Sequence, residues 1–370
     1  MRIGNRSLQI FIRVIDLKVT IQDIADALGV SRNTVSKAIN NSEGLADATR
    51  ERILQKAVEM GYKQFSYVNA LAGIVRPAAE AAQEPRGRAG EIALLTTLLF
   101  NHSHFASPMQ DRFQSEVAQL GYTVNLHRVT EENLREGSLP WTFDAQRVRA
   151  IVCFELFDWD YCEMLCGLGL PILFVDGPVK AWGRSLPADQ LYMDNMTEIA
   201  ALTQELLRRG KTRMGFLGDY LHCQSFFERY IAFRSNMLMA GLPVEKRFVI
   251  RYLHPAELHQ ALSELEELPE VFLCANDFVA IDAIQSLRRL GKQVPRDILL
   301  CGFDDSPESR LIDPPLTTVH IHTQIMAFTA VQLLMSRMEE PSLDYRVVHT
   351  QTDLIFRAST GDSKEEGVIS

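Results

Sequence analysis

Between residues 19 and 60 the apolar positions recur at helical spacing in three successive segments. The first segment predicts a helix whose inner face consists of Ile21, Ile24, Ala25 and Leu28. Thr20 and Asp23 form a T-x-x-D capping pattern at its start, and Gly29 suits the left-handed turn that ends it. Ser31 can cap a second helix, and residues 47–60 predict a third. Together the segments predict a small three-helix domain.

The outer face of the second helix carries the chemistry needed to read DNA bases. Its inner face consists of Val35, Ala38 and Ile39, which leaves Arg32, Asn33, Ser36 and Lys37 on the outside. Arg and Lys pair with guanine edges and Asn pairs with adenine, and the first residues of a recognition helix are those that reach the bases. An ordinary helical hairpin with a polar outer face has the same spacing, so the pattern alone leaves that alternative open.

After residue 90 short apolar runs alternate with amphipathic segments, which is typical of parallel sheets with helices on both faces. The runs predict strands at Ile92–Phe100, Tyr122–His127, Ala150–Phe154, Ile172–Val175, Arg213–Leu217, Phe248–Leu253, Val271–Cys274 and Ile298–Gly302. The helical segments are Met109–Leu120, Tyr161–Leu168, Met196–Arg209, Phe226–Ala240, Ala256–Leu265, Phe278–Leu290 and Gln324–Met338. Residues 74–90 are rich in Ala, Pro, Glu and Arg and predict a linker before this region.

So many strands predict two α/β lobes of similar size, dividing near Leu186–Leu191, with a shared ligand cleft at the carboxyl ends of the strands. The polar residues at these predicted strand ends are Thr97, Asp176, Ser225, Arg229, Asn276, Asp277 and Asp304, with Phe105 or Tyr252 near the rim. Carboxylates, an amide and a guanidinium around one cavity suit a small polyhydroxy ligand. Each residue alone has a structural alternative: Asp277 could cap a helix, and Asp304 with Asp305 could form a turn.

Charge and cysteine content agree with a DNA-binding head on an acidic body. Residues 1–76 carry 11 Lys and Arg against 7 Asp and Glu, whereas the whole chain carries 38 against 47. The six cysteines form no C-x-x-C pair and have no His at metal-ligand spacing, which is typical of buried thiols in a reduced cytoplasmic protein. No apolar run is long enough to span a membrane. Arg13 and Asp16 interrupt the apolar part of the leading segment, which argues against a signal peptide.

The chain resembles the LacI/GalR family of bacterial transcription regulators. The resemblance rests on TIQDIADALGVSRNTVSKAINNSEGLADATRERILQKAVEMGY, and continues in PILFVD, in AND at 275–277, in GFDD at 302–305 and in PPLTTV at 314–319. It implies an N-terminal helix-turn-helix domain followed by a two-lobed core of the periplasmic-binding-protein type I fold, in which the chain crosses between doubly wound lobes more than once. It also implies DNA contacts by Thr20, Ser31, Arg32, Asn33, Thr34, Ser36, Lys37 and Asn40.

The resemblance places a hinge helix before the linker, at residues 67–72. In the family a leucine of this helix enters the minor groove and kinks the duplex, and the matching residue here is Leu71. This chain departs from the family at two positions of the hinge. The hinge usually begins with Pro-Asn, but this chain has Gln64 and Phe65 there. An Arg usually lies two residues before the leucine, but this chain has Asn69. Residues 67–72 could therefore be linker instead.

The resemblance also supports the cleft residues as an effector site. The resemblance implies that residues at the positions that line the effector site in related regulators also contact the effector here. These residues are Asp176, Arg229, Asn276 and Asp304, and with them Thr97, Ser225 and Phe105. A sugar or sugar derivative suits this polar set, while purines, sugar phosphates and protein co-regulators remain alternatives on this scaffold.

We therefore predict an extension over residues 1–17, a helix-turn-helix domain over 18–63, a hinge helix and linker over 64–90, a two-lobed effector-binding and dimerisation domain over 91–360, and a tail over 361–370. The predicted function is a repressor that binds operator DNA as a homodimer, without cofactor or metal. One alternative is a cytoplasmic sugar-binding protein without regulatory DNA binding. A sugar-modifying enzyme is another, but no catalytic motif supports it.

Overall fold

Contacts within the chain divide it into a unit spanning residues 1–85 and a unit spanning residues 86–370. The computed structural model describes residues 21–39, 45–46, 49–50, 52–53, 56–57, 90–97, 106–180, 183, 185–252, 254–361 and 367–368. The predictions made for the N-terminal extension, for the hinge helix and for Thr20, Asn40, Leu71 and Phe105 fall outside the described residues.

Two helices of the first unit, α1 (Ile21–Leu28) and α2 (Arg32–Ile39), pack against each other as the apolar spacing predicts. Gly29 ends α1 with a left-handed φ of 64°. The Ser31 hydroxyl accepts a hydrogen bond from the Thr34 amide at 3.0 Å, which confirms the predicted cap of α2. The buried apolar core that holds this unit together consists of Ile24, Ala25, Val35, Ala38, Ile53 and Ala57.

The second unit alternates strands and helices. Its strands are β1 (Gly90–Thr96), β2 (Tyr122–Arg128), β3 (Val148–Phe154), β4 (Ile172–Val175), β5 (Asp189–Met193), β6 (Met214–Leu217), β7 (Val249–Ile250), β8 (Val271–Cys274), β9 (Leu299–Cys301), β10 (Thr318–Ile321), β11 (Val347–Thr350), β12 (Thr352–Phe356) and β13 (Gly367–Val368). Its α-helices are α3 (Ala106–Gln119), α4 (Glu131–Glu136), α5 (Trp159–Cys166), α6 (Thr197–Arg208), α7 (Gln224–Met239), α8 (Pro255–Ser263), α9 (Asp277–Arg289), α10 (Pro307–Leu311) and α11 (Thr323–Glu339).

These elements form two lobes, each with a parallel sheet covered by helices. In the first lobe six strands pair in the order β11-β5-β4-β3-β1-β2. In the second lobe four strands pair in the order β7-β6-β8-β9, beside a three-stranded antiparallel ribbon of β10, β12 and β13. Among the helices of the described residues, none is both long and apolar enough to cross a membrane.

The chain crosses between the lobes three times. It passes into the second lobe after β5, returns to the first lobe between β10 and α11, and leaves it again between β11 and β12. The expected boundary near Leu186–Leu191 is therefore wrong. β5 pairs with β4 inside the first sheet, so the crossing lies at residues 194–196. The sequence contains no local signal for this, because pairing with β4 and β11 decides where β5 belongs.

Several elements differ from the predicted ones. The predicted strand Phe248–Leu253 contains only the two-residue strand β7. The elements that were not predicted are β5, β10, β11, β12, β13, α4 and α10. β11 lies at the edge of the first sheet and exposes one face, with Val347 and His349, so its residues lack the apolar run of a central strand. It joins β5 across more than 150 residues of sequence, with Val348 opposite Leu191.

A buried carboxylate holds this late strand in place. Asp189, at the start of β5, accepts hydrogen bonds from Arg337 of α11 and from Arg346 just before β11. The Asp189 side chain is 1 % exposed and that of Arg337 is 5 % exposed. These hydrogen bonds outweigh the burial of Asp189 and lower the pKa of its carboxyl group.

We expect Asp189→Asn to lower the free energy of unfolding of the core unit by about 3 kcal/mol, because it leaves the buried Arg337 charge unpaired. Because the folded pKa of Asp189 is depressed, the stabilisation is present above the unfolded pKa of about 4 and is lost as the pH falls through the folded pKa. Urea unfolding followed by tryptophan fluorescence measures this, since all three tryptophans, Trp141, Trp159 and Trp182, lie beyond residue 85.

The matched control is Glu266→Gln at an exposed position, which should change the free energy of unfolding by less than about 0.5 kcal/mol. Equal stability of Asp189→Asn and the control at pH 7 would show that the cluster does not hold β11 to the first sheet.

Candidate functional site

The carboxyl ends of the strands in the two lobes face each other across a cleft. Gln224, the first residue of α7 in the second lobe, donates from its amide to the carbonyl of Gly177 behind β4 at 2.9 Å. The rings of Phe157, after β3, and His222, after β6, lie 4.8 Å apart between centroids. Side chains at these strand ends can therefore act on one small molecule from both lobes.

Left-handed backbone marks the acidic residues of this cleft. Among the described residues, the non-glycine residues with positive φ are Glu155 at 50°, Asp176 at 51°, Asp304 at 116° and Asp305 at 54°. Glu155 and Asp176 directly follow β3 and β4, and the Asp pair follows β9. This conformation is costly for residues other than glycine, and such strain is concentrated at ligand sites in folded proteins.

Arg229 supplies the positive charge at the centre of the cleft. It lies on α7 with 3 % of its side chain exposed, and its Nη1 is 3.7 Å from the Oδ1 of Asp304. Its Nε donates to Asn195 Oδ1 at 2.9 Å and its Nη1 donates to the carbonyl of Ala275 at 2.7 Å. The guanidinium also lies 3.5 Å from the ring centroid of Phe303. These contacts fix its position.

Asp176 is brought against the second lobe. Its Oδ1 accepts from the Gly177 amide at 2.9 Å, and the Ser225 side chain on α7 lies near enough to favour the charged carboxylate. The Asp176 side chain is almost fully buried, and this burial outweighs the hydrogen bonds and the Arg229 charge and raises its pKa to about 6. Asp176 and Ser225 therefore form a polar contact between the lobes.

Asp304 and Asp305 are neighbours in sequence with opposite environments. Asp305 accepts hydrogen bonds from Arg310, Arg357 and His320, and these partners hold its pKa well below the usual range despite burial. Asp304 has 11 % of its side chain exposed, and among the described residues its carboxylate makes only the ion pair with Arg229. Burial raises the pKa of Asp304, so this carboxylate is the less satisfied of the two.

The other predicted cleft residues have hydrogen-bonding roles in the fold. Asn276 caps α9 by accepting from the Val279 amide at 3.0 Å, and Thr97 donates to the carbonyl of Glu155 at 3.4 Å. Asp277 is not the cap that was considered for it, because its carboxylate accepts from the Thr318 hydroxyl and from the Ser306 amide. Tyr252 packs on the apolar cluster between the four-stranded sheet and α9.

The first unit presents a second candidate surface, on α2. Arg32, Asn33 and Lys37 are exposed, whereas Val35 and Ala38 of the same helix are buried in the core of the unit. Thr34 and Ser36 are half-buried at its edge, and the cap keeps the exposed Ser31 at the start of the helix. The arrangement offers a guanidinium, an amide and an ammonium on one helical face, as base reading requires.

Comparison with known proteins decides the family. Residues 20–64 match the model of the bacterial regulatory proteins of the lacI family, and residues 203–360 match the periplasmic binding protein-like domain. The chain contains a DNA-binding domain of the lacI family. Its first unit contains the family's DNA-binding helix-turn-helix, and its second unit contains the periplasmic-binding-protein-like core. The predicted family and fold class are confirmed.

Named relatives align with nearly the whole chain. It is 24 % identical over 347 residues to the HTH-type transcriptional repressor PurR of Aliivibrio salmonicida, covering 92 % of this chain and 98 % of that protein. It is 26 % identical over 356 residues to the HTH-type transcriptional regulator GalR of Lacticaseibacillus casei, with coverages of 92 % and 99 %.

Solved structures of similar fold include a Lac repressor dimer bound to operator and the anti-inducer ONPF, with a TM-score of 0.63. A complex of the transcriptional regulator CelR with cellobiose has a TM-score of 0.62. Each is 22 % identical to this chain, and the match covers 92 % of this chain and 99 % of that structure's chain.

Three residues of the cleft were missed by sequence reasoning: Glu155, Asn195 and Glu228. Asn195 is fully buried and joins Arg229 to Glu228, to which its Nδ2 donates at 2.9 Å. Asn195 follows β5. A correct prediction of that strand would have identified Asn195 as another polar residue at a strand end. Glu228 lies on a helix face, where sequence offers no signal of its partners.

We expect Asp176→Asn to raise the free energy of unfolding by about 2 kcal/mol at pH 7, because the neutral amide removes a buried carboxylate whose pKa is about 6. A raised folded pKa means that the carboxylate weakens folding as the pH rises from about 4 to above 6. The difference between variant and wild type should therefore vanish at pH 4. Urea unfolding at the two pH values measures it.

Asp305→Asn is the matched comparison and should lower stability at pH 7, since it removes the partner of two arginines. A stability loss in Asp176→Asn as large as that in Asp305→Asn would contradict the assignment of Asp176 as a strained cleft residue.

Proposed function

We propose that this LacI-family regulator represses transcription by binding operator DNA as a homodimer, and that a small effector in the cleft changes its operator affinity. The observation that carries the effector part is the Asp304 carboxylate, which is mostly buried and poorly satisfied beside the well-satisfied Asp305. A folded protein keeps such a group where a ligand completes its hydrogen bonds. We propose that the protein acts in the cytoplasm.

The α2 surface supports the DNA-binding part of the proposal. The exposed Arg32 and Asn33 lie in the first turn of α2, where a recognition helix meets base edges. Two copies of this surface would match a two-fold symmetric operator. The proposed contacts are Thr20, Ser31, Arg32, Asn33, Thr34, Ser36, Lys37 and Asn40, with Leu71 as the minor-groove wedge.

A carbohydrate is the proposed effector class. The cellobiose bound by the structurally similar CelR supports this choice, as does the polar lining of the cleft. The proposed contacts are Thr97, Phe105, Asp176, Ser225, Arg229, Asn276 and Asp304.

The three crossings offer a physical route from effector to DNA. A ligand that contacts Asp176 in one lobe and Asp304 in the other favours one arrangement of the lobes. A differential affinity of this kind typically changes a second binding constant by about 5- to 150-fold.

We expect Arg32→Ala to relax discrimination at one base pair of the operator by about 1–3 kcal/mol, because it removes a base-reading guanidinium. Thr20→Ala should instead weaken binding to all sequences alike, as the loss of a phosphate contact does. Binding of both variants to an operator selected from random DNA, and to its single-base variants, measures the difference. Uniform weakening by both substitutions would remove Arg32 from the base readers.

We expect a thermal-unfolding screen of the full-length protein to find an effector among mono- and disaccharides, sugar phosphates and nucleobases. A bound ligand raises the melting temperature by an amount that grows with its concentration. The shift should disappear in Asp304→Ala and persist in Glu266→Gln, whose substituted side chain is exposed. A shift that persists in Asp304→Ala would place the ligand outside the proposed cleft.

A further inference from the structure

A cavity lies in the first lobe at the amino ends of β1, β2 and β3. Its volume is about 450 Å³, within the range of about 300–1,000 Å³ that is usual for small-molecule sites. The residues that line it include Gly90, Glu91, Asn125, Gln146, Arg147 and Arg149. The cleft lies at the carboxyl ends of the strands of this sheet, so the length of β1, with seven residues and about 20 Å, separates the two sites.

A β-bulge places Arg149 at this cavity. Glu91 of β1 pairs with Val148 of β3. The next residue, Ile92, pairs with Ala150, so that Arg149 is an extra residue of β3. An extra residue of this kind redirects a side chain out of the regular alternation of the strand, and bulges are frequent beside functional sites.

Gly90 leaves space for the Arg149 side chain. The φ of Gly90 is 130°, a conformation that residues with a side chain rarely adopt. A Cβ atom at this position would overlap the Cγ of Arg149. Any other residue at position 90 would therefore displace Arg149. The glycine and the bulge together keep this arginine at the cavity.

Most hydrogen-bond donors of the cavity are available to a ligand. Among the described residues, none forms a hydrogen bond or an ion pair with the side chains of Asn125, Gln146 or Arg149. Arg147 forms an ion pair with Asp144 at 4.0 Å, in which both side chains are more than half exposed. Exposed pairs of this kind are weak. Two guanidiniums and two amides can therefore donate to a bound molecule.

The acidic residue at the cavity, Glu91, has a partner inside the lobe. Its Oε1 lies 3.5 Å from the Nε2 of the buried His127, and 14 % of the Glu91 side chain is exposed. Arg147 and Arg149 are both exposed and so remain accessible from solvent. Guanidinium groups bind phosphate through two parallel hydrogen bonds, which makes them the preferred partners of this group.

We propose that this cavity binds a small phosphomonoester, whose phosphate group is held by Arg147 and Arg149. Asn125 and Gln146 hydrogen-bond hydroxyl groups of the same ligand, as a sugar phosphate would present them. A terminal phosphate carries close to two negative charges near neutral pH and can enter a concave site from one end. The phosphates of DNA carry one charge each and continue into the chain on both sides, so the cavity favours the monoester.

Calorimetric titration of the full-length protein tests this site. The probes are inorganic phosphate, glycerol phosphate and glucose-6-phosphate, with glycerol and glucose as neutral counterparts, at constant ionic strength in a phosphate-free buffer. We expect at least one organic phosphate to bind tenfold or more tightly than its neutral counterpart, which corresponds to about 1.4 kcal/mol. Arg147→Gln and Arg149→Gln should each weaken its binding tenfold or more, because each removes one guanidinium from the phosphate.

Arg128→Gln is the matched control, since Arg128 is an exposed arginine at the carboxyl end of β2 in the same sheet. It should leave the affinity unchanged, and so should Asp304→Ala, which alters the cleft. Binding that is lost in Asp304→Ala but kept in Arg149→Gln would place the phosphate in the cleft and overturn the proposal.

Two further results would also overturn the phosphomonoester proposal. One is the absence of binding by every phosphate probe at about 10 mM. The other is a loss of affinity for a random-sequence DNA duplex in Arg149→Gln while no phosphomonoester binds, which would assign the arginines to DNA. Neither result bears on the effector proposed for the cleft, which the thermal-unfolding screen tests separately.

Discussion

Arg229 joins three distant parts of the chain through one guanidinium. It bonds Asn195 at the first crossing, the carbonyl of Ala275 behind β8 and the carboxylate of Asp304 behind β9. Since the side chain is nearly fully buried, its charge is costly unless these partners remain in place. The geometry of the cleft depends on this residue, because loss of any one partner leaves a buried cation with fewer hydrogen bonds.

The same cleft weakens the fold that carries it. Acidic residues in left-handed backbone, with raised pKa values at Asp176 and Asp304, cost stability that a protein selected for stability alone would avoid. The neighbouring Asp305 shows the alternative, since two arginines and His320 satisfy its carboxylate fully. The contrast separates a carboxylate that holds the strands together from one that is available to a ligand.

The first lobe is held together by contacts between residues that are far apart in the sequence. Asp189 binds Arg337 and Arg346, and so ties α11 and β11 to the first sheet after the chain has already built most of the second lobe. A change in lobe arrangement must pass through the three crossings, and Asn195 at the first of them touches Arg229 directly. The cleft and the first crossing are therefore parts of one hydrogen-bonded network.

Local pattern in the sequence determined the helix-turn-helix, because spacing, a capping serine and a glycine turn act within a few residues of one another, as at Ser31 and Gly29. It also determined most buried strands, such as Ile172–Val175, and hence which polar residues follow them. The tertiary structure alone decided that Asp189–Met193 belongs to the first sheet and that Asn195 reaches Arg229. It also decided that Asp304 and Asp305, identical in type and adjacent, differ in their partners. Pairing between strands and the burial of charge depend on residues far apart in the chain, and no local pattern encodes them.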